Sequence, residues 1–303
     1  MSLHVPQLLT SARYPGRLDS AFMIKIEPPI NLKMKYTDVK LSISGQVGTI
    51  TMSRPKALHA FGDSLKMDLI VALRELDQHP DTLITLITAE GRFFSAGADI
   101  NDVVPPPDPP TPAHKKVAIL AWYAPVLELV RSMIDHRKVL VVAMNGPAVG
   151  GAVGWLLGVA DIVLASDSCW IDAPFSKLGL VPEFGCATNF AQSMGVHRTN
   201  ELMIFGRKMT AQELVVSGLV NRVFPTSSFH RDVGTYLQEQ VQLNSGRSML
   251  EAKRLMNESV RDSRLVAIMT SLDSLAERMV EGEAYEKFAE QRKKINAKKE
   301  SKL

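Results

Sequence analysis

Apolar positions along the chain change period in a regular order. Residues 40–44 and 47–53 alternate around Gly45-Gln46, which predicts a β-hairpin. Leu65, Leu69, Leu73 and Leu76 then recur at helical spacing behind Gly62-Asp63-Ser64, a sequence suited to a helix start. Residues 83–88 are β-branched and predict a strand that runs into a glycine-containing loop. Val117, Leu120, Ala124, Leu127 and Ile134 predict the next helix, with Pro125 as a point of bending. Residues 139–144 have the continuous apolar character of a strand buried on both faces. Short strands are expected over 162–165, 169–171 and 219–224, and the chain after Ala187 is otherwise mostly helical. The order predicts an α/β fold, a core of repeated β-β-α turns closed by a helical C-terminal region.

Two stretches break the pattern. Residues 1–36 carry scattered prolines and no sustained period, and are expected to form an irregular N-terminal arm. Pro105, Pro106, Pro107, Pro109, Pro110 and Pro112 crowd one segment, which is expected to be a stiff surface excursion that is neither helix nor ladder.

Composition narrows the function. The chain has 303 residues, 46% hydrophobic and 22% charged, with a formal charge of +3. That balance suits a small anionic substrate and falls short of a nucleic-acid-binding surface, so no nucleic-acid partner is expected. No run is expected to reach the roughly 18 apolar residues of a membrane span. Cys169 and Cys186 stand apart from any Cys/His cluster and are expected to be reduced core thiols. The chain ends Ser301-Lys302-Leu303, the tripeptide read by the peroxisomal import receptor, so a peroxisomal address is expected; the alternative is an ordinary solvated tail.

Two glycine-bearing loops are the candidates for chemistry. One runs Gly91-Arg92-Phe93-Phe94-Ser95-Ala96-Gly97-Ala98-Asp99-Ile100, the other Asn145-Gly146-Pro147-Ala148-Val149-Gly150-Gly151. Glycine lets backbone approach a ligand closely, and a helix start leaves amides unpaired. Two such amides converging on one point would stabilise a developing oxyanion. With Arg54-Pro55-Lys56-Ala57-Leu58-His59-Ala60, the segment from Pro174 to Glu183, and Phe205-Gly206-Arg207-Lys208-Met209-Thr210-Ala211, these loops resemble the crotonase (enoyl-CoA hydratase/isomerase) superfamily.

That resemblance implies a crotonase-type β-β-α spiral core over 37–225 and a C-terminal helical region over 226–300. It implies an acyl-CoA thioester substrate, no cofactor beyond the CoA carried by the substrate, and a homotrimer or hexamer. The amides of Ala98 and Gly151 would form the oxyanion hole. Ala96, Gly97, Ala98, Asp99 and Ile100 would line the CoA, with Lys56, Ala57 and Leu58 along its pantetheine or adenine end. Arg54, Lys56 and Lys66 are candidate phosphate partners or solvated surface charges.

The resemblance also separates two reactions. Family hydratases hold water between two glutamates, and the corresponding positions here are Gly154 and Phe175. Glu183 instead stands four residues after Gly179, where peroxisomal Δ3,Δ2-enoyl-CoA isomerases carry a single glutamate. The resemblance thus implies isomerisation of 3-enoyl-CoA to trans-2-enoyl-CoA, with Glu183 as catalytic proton shuttle. Its alternatives are a hydratase or tailoring enzyme on a specialised acyl-CoA, and a non-catalytic acyl-CoA or protein-binding module. Between Asn145 and Asp161 the chain is one residue longer than the usual spacing. His59 and His197 are expected to pack or cap, Asp99 to order its loop, and Trp122, Trp155 and Trp170 to be core or acyl-pocket lining.

Overall fold

A computed structural model describes residues 36–106 and 111–300. Nearly all of the N-terminal arm, the centre of the proline-rich segment and the Ser301-Lys302-Leu303 tripeptide therefore lie outside the described residues.

Strands β1 (Val39–Ser44) and β2 (Val47–Met52) form the expected antiparallel hairpin. Strands β3 (Ile84–Ala89), β4 (Val139–Met144), β6 (Ile162–Ser166) and β9 (Arg222–Phe224) add to it in parallel, giving a six-stranded sheet of order β1-β2-β3-β4-β6-β9. A second sheet has the order β5-β7-β8, from Ala148–Val149, Trp170–Asp172 and Met209–Thr210.

Both faces of the large sheet are covered, which explains the near-continuous apolar runs of β3 and β4. In β4, Leu140, Val142 and Met144 point into the main core, which includes Leu65, Leu69, Leu73 and Leu76 of α1 (Asp63–Gln78). Val141 and Ala143 point the other way, onto Phe229, Val233 and Leu237 of α6 (Phe229–Leu243). The remaining helices are α2 (Pro112–Ile134), α3 (Cys186–Met194), α4 (Val196–Phe205), α5 (Ala211–Ser217), α7 (Gly246–Glu281) and α8 (Glu283–Glu300).

Several expectations need correction. Pro112 belongs to α2 rather than to an excursion. Thr111 caps that helix by accepting from the His114 amide, and proline at the first helical positions gives up no needed donor. The helix runs unbroken through Pro125. It is also long and apolar enough to span a membrane, with a mean hydropathy of 1.5 over its best window, so such a run does exist. Here α2 packs on α1 and α7 and buries Ile119, Tyr123, Val126, Leu129, Val130, Met133 and Ile134. The strand expected over 219–224 is only Arg222–Phe224, because Leu219 and Val220 are spent filling the core after α5. Finally, Ala152–Leu157 is a π-helical turn.

Candidate active site

Three loops are woven together by backbone hydrogen bonds. The Ala96 amide donates to Leu58 O (2.9 Å), the Phe61 amide to Gly97 O (2.8 Å) and the Val149 amide to Ser95 O (3.0 Å). Ser95 Oγ donates to His59 O (2.7 Å). Leu58 and His59 both adopt left-handed backbone, φ +51° each. Such strain in consecutive non-glycine residues persists only where surroundings hold it, and here Arg54 donates to Ala60 O (2.7 Å) and pairs with Asp99 (3.0 Å). Asp99 also accepts from the Asn101 amide and side chain, so its carboxylate is occupied in ordering the loop.

Gly97 decides how closely the loops approach. Its φ is +84°, and a Cβ there would lie 2.5 Å from Val149 O and 3.3 Å from the Gly151 nitrogen. Only glycine lets the two loops meet at this distance. Among the described residues, the Ala98 and Gly151 amides donate to no protein acceptor. Gly151 also stands at the N-terminus of the π turn, where the unpaired amides favour negative charge. Along the first loop, Ala96, Ala98 and Ile100 are half-buried and alternate with buried Gly97 and Asp99, so one edge remains open.

Glu183 lies in the turn before α3. Phe184 and Gly185 are both left-handed, and the Gly185 amide donates to Ser271 Oγ of α7 (2.9 Å). This turn directs Glu183 inward, where it is 5% exposed. Its Oε2 accepts a hydrogen bond from Trp155 Nε1 at 2.8 Å. Burial pushes the carboxyl up to about 7, and the indole N–H pulls it in the other direction. The surroundings are aromatic. The Phe184 ring stands 5.9 Å from Trp155 and 5.7 Å from Tyr123, and Phe61 stands 5.1 Å from Trp155. A Cβ on Gly151 would come within 2.7 Å of the Trp155 ring, so the indole bridges the glycine loop and the carboxylate.

Gly154 and Phe175 meet. A Cβ at Gly154 would lie 3.4 Å from Phe175 Cζ and 3.5 Å from Cys186 Cβ and Sγ. The two positions where the resemblance would look for hydratase glutamates thus pack against each other and against Cys186 and carry no carboxylate.

Other expected residues separate. Lys56 is exposed, and Ala57 and Leu58 are half-buried beside it. Lys66 is neither solvated nor free for a phosphate: it is buried, paired with Asp63 at 2.8 Å, and lies 5.5 Å from the Trp122 ring centre. His59 is buried, which lowers its pKa and keeps the ring neutral, whereas His197 is exposed in the first turn of α4. Trp170 is half-buried, with Lys208 Nζ 3.7 Å from its ring centre. Trp155 was assigned only to core or pocket lining, and its bond to Glu183 is the feature sequence reasoning missed. The available signal was that a buried indole N–H requires an acceptor.

Residues 42–298 match the family described as Enoyl-CoA hydratase/isomerase. A Delta(3,5)-Delta(2,4)-dienoyl-CoA isomerase of Pyricularia oryzae is 34% identical over 206 residues, 65% of this chain and 72% of its own. Enoyl-CoA delta isomerase 2 of Rattus norvegicus is 35% identical over 224 residues, 74% of this chain and 55% of its own. The peroxisomal Enoyl-CoA delta isomerase 3 of Mus musculus is 33% identical over 208 residues, 68% and 63% respectively. The chain thus spans between about half and two thirds of the length of these two delta isomerases. Among solved structures, an enoyl-CoA hydratase/isomerase from Pseudoalteromonas atlantica T6c superposes with a TM-score of 0.75 at 27% identity, covering 85% of this chain and 98% of that one.

Proposed function

The chain belongs to the enoyl-CoA hydratase/isomerase (crotonase) family and has its fold, and from that premise we propose that it isomerises 3-enoyl-CoA to trans-2-enoyl-CoA with Glu183 as the only acid–base group. The thioester carbonyl accepts from the Ala98 and Gly151 amides. Glu183 removes a proton from C2, the two amides hold the enolate oxygen, and the same carboxyl returns the proton at C4. No atom is gained or lost. A base that must also act as an acid works best with a pKa near the operating pH, and burial supplies that shift here.

The observation that carries the proposal is the pairing of one buried carboxylate with an apolar wall at Gly154 and Phe175. Isomerisation needs one proton carrier, and hydration needs a second group to hold water. The open edge of the first loop supports CoA along Ala96, Ala98 and Ile100, with Lys56, Ala57 and Leu58 toward its far end. The terminal Ser301-Lys302-Leu303 supports delivery by the peroxisomal import receptor and a role in peroxisomal fatty-acid oxidation. Assembly as a trimer or a pair of trimers follows from the family resemblance.

The test is product analysis in ¹⁸O-labelled water with a panel of 3-enoyl-CoA and 3,5-dienoyl-CoA thioesters and, in parallel, trans-2-enoyl-CoA thioesters. The expected product is the conjugated 2-enoyl thioester without label. Incorporated label identifies a hydratase instead. Tight CoA-thioester binding with no turnover of any chain length identifies a binding module.

A further inference from the structure

We infer that Trp155 is a positioning residue for Glu183: its indole N–H ties one carboxylate oxygen in place, leaving the other as the sole oxygen that collects and returns the proton. The inference rests on the isomerase reading for its kinetic readout, though not for its structural one.

The two oxygens of Glu183 differ sharply. Oε2 accepts the Trp155 N–H at 2.8 Å. Among the described residues Oε1 has no hydrogen-bond partner, and it is not fully enclosed. One oxygen is anchored and the other is left without a donor. An indole nitrogen donates and never accepts, so it favours the carboxylate over the carboxylic acid without competing for the shuttled proton. A basic side chain in its place would ionise the carboxylate permanently, and an apolar one would leave it neutral.

The donor is rigidly held. The ring lies against Gly151, where a Cβ would come within 2.7 Å of it, and between the rings of Phe61 and Phe184. Trp155 lies in the π turn Ala152–Leu157, directly after Gly151, so one side chain links the glycine loop to the carboxylate. The titratable groups facing Glu183 are the Tyr123 phenol of α2 and the Cys186 thiol of α3. Burial and the Glu183 charge raise both, so both stay neutral around pH 7. From α7 the facing group is the Ser271 hydroxyl, which accepts from the Gly185 amide. Among the described residues, Trp155 is therefore the one group that favours the ionised form of Glu183.

The test compares wild type with Trp155→Phe, and with a protein in which the Trp155 indole is replaced by the isosteric benzothiophene. The second substitution keeps the ring shape and removes only the N–H. Two readouts are taken: the pH profile of kcat/KM on a 3-enoyl-CoA, and direct titration of the Glu183 carboxyl by difference infrared spectroscopy against Glu183→Gln. Losing a donor favours the neutral acid, so the acid limb should move upward by about one to two pH units. Turnover would fall about 10- to 100-fold below the limb and converge toward wild type at high pH, with KM little changed. A rate that falls equally at every pH, with limb and infrared titration unmoved, assigns Trp155 to packing and overturns the inference. Unchanged rates and titration overturn it as well. If wild type turns over no enoyl-CoA, the isomerase reading fails, and the infrared titration alone still decides the role of Trp155.

Discussion

Glu183 and Lys253 are both ionisable side chains withdrawn from water, 5% and 8% exposed, and they are treated in opposite ways. Lys253, on α7, pairs with Asp161 at 2.7 Å and donates to Lys138 O. Asp161 in turn accepts from the Leu140 amide of β4 at 2.7 Å. Burial lowers the lysine pKa, but the Asp161 charge opposes it, and the ammonium has both a carboxylate and a carbonyl acceptor. The result is a clamp fastening α7 to the starts of β4 and β6. Among the described residues Glu183 has no cation beside it, and one neutral N–H is its only hydrogen-bond donor. A desolvated charge with a full set of partners is structure, whereas one left short of partners is held at a pKa near 7, where it can both take and give a proton.

Two substitutions sharpen this contrast. The larger stability effect is expected at the clamp. Lys253→Met strips a buried pair of one member and should destabilise the fold by about 3–5 kcal/mol in urea titrations. The acid limb of catalysis should stay in place. A midpoint that does not move would show that the clamp contributes nothing to stability.

The smaller effect has the opposite sign and belongs to Glu183. Its folded pKa of about 7 lies above the ordinary value of 4.5. Below pH 4.5 the carboxyl is protonated in both folded and unfolded states and costs nothing. The penalty grows from pH 4.5 to 7 and is constant above, on the order of 3 kcal/mol. Glu183→Gln should therefore be more stable than wild type at pH 8 and nearly equal to it at pH 4. Equal stability at both pH values would mean that Glu183 ionises in the fold as easily as in water.

The legible part of the molecule is the part built from local chemistry. Alternation around Gly45-Gln46 and the leucine spacing of α1 report directly on which face is buried. The glycine loops stood out because close backbone approach demands glycine, whereas Glu183 was singled out by the family resemblance of the segment that carries it. What escaped depends on contacts between distant segments. The bond from Trp155 to Glu183 spans 28 positions, and nothing in the local pattern points an indole toward a carboxylate. Lys66, expected from its charge to be a phosphate partner or a solvated residue, lies three and four residues before buried Leu69 and Ile70 and is itself buried, with Asp63 and the Trp122 ring beside its ammonium.

The central claim is that a single carboxylate performs the chemistry. It is tested most directly by turnover of a 3-enoyl-CoA by wild type and Glu183→Ala, with CoA-thioester binding measured on both. Removing the only base should slow isomerisation by about 10²- to 10⁴-fold while leaving binding intact, since the Ala98 and Gly151 amides and the CoA-facing loop are unchanged. A variant that isomerises at the wild-type rate would contradict the account and place the proton carrier elsewhere.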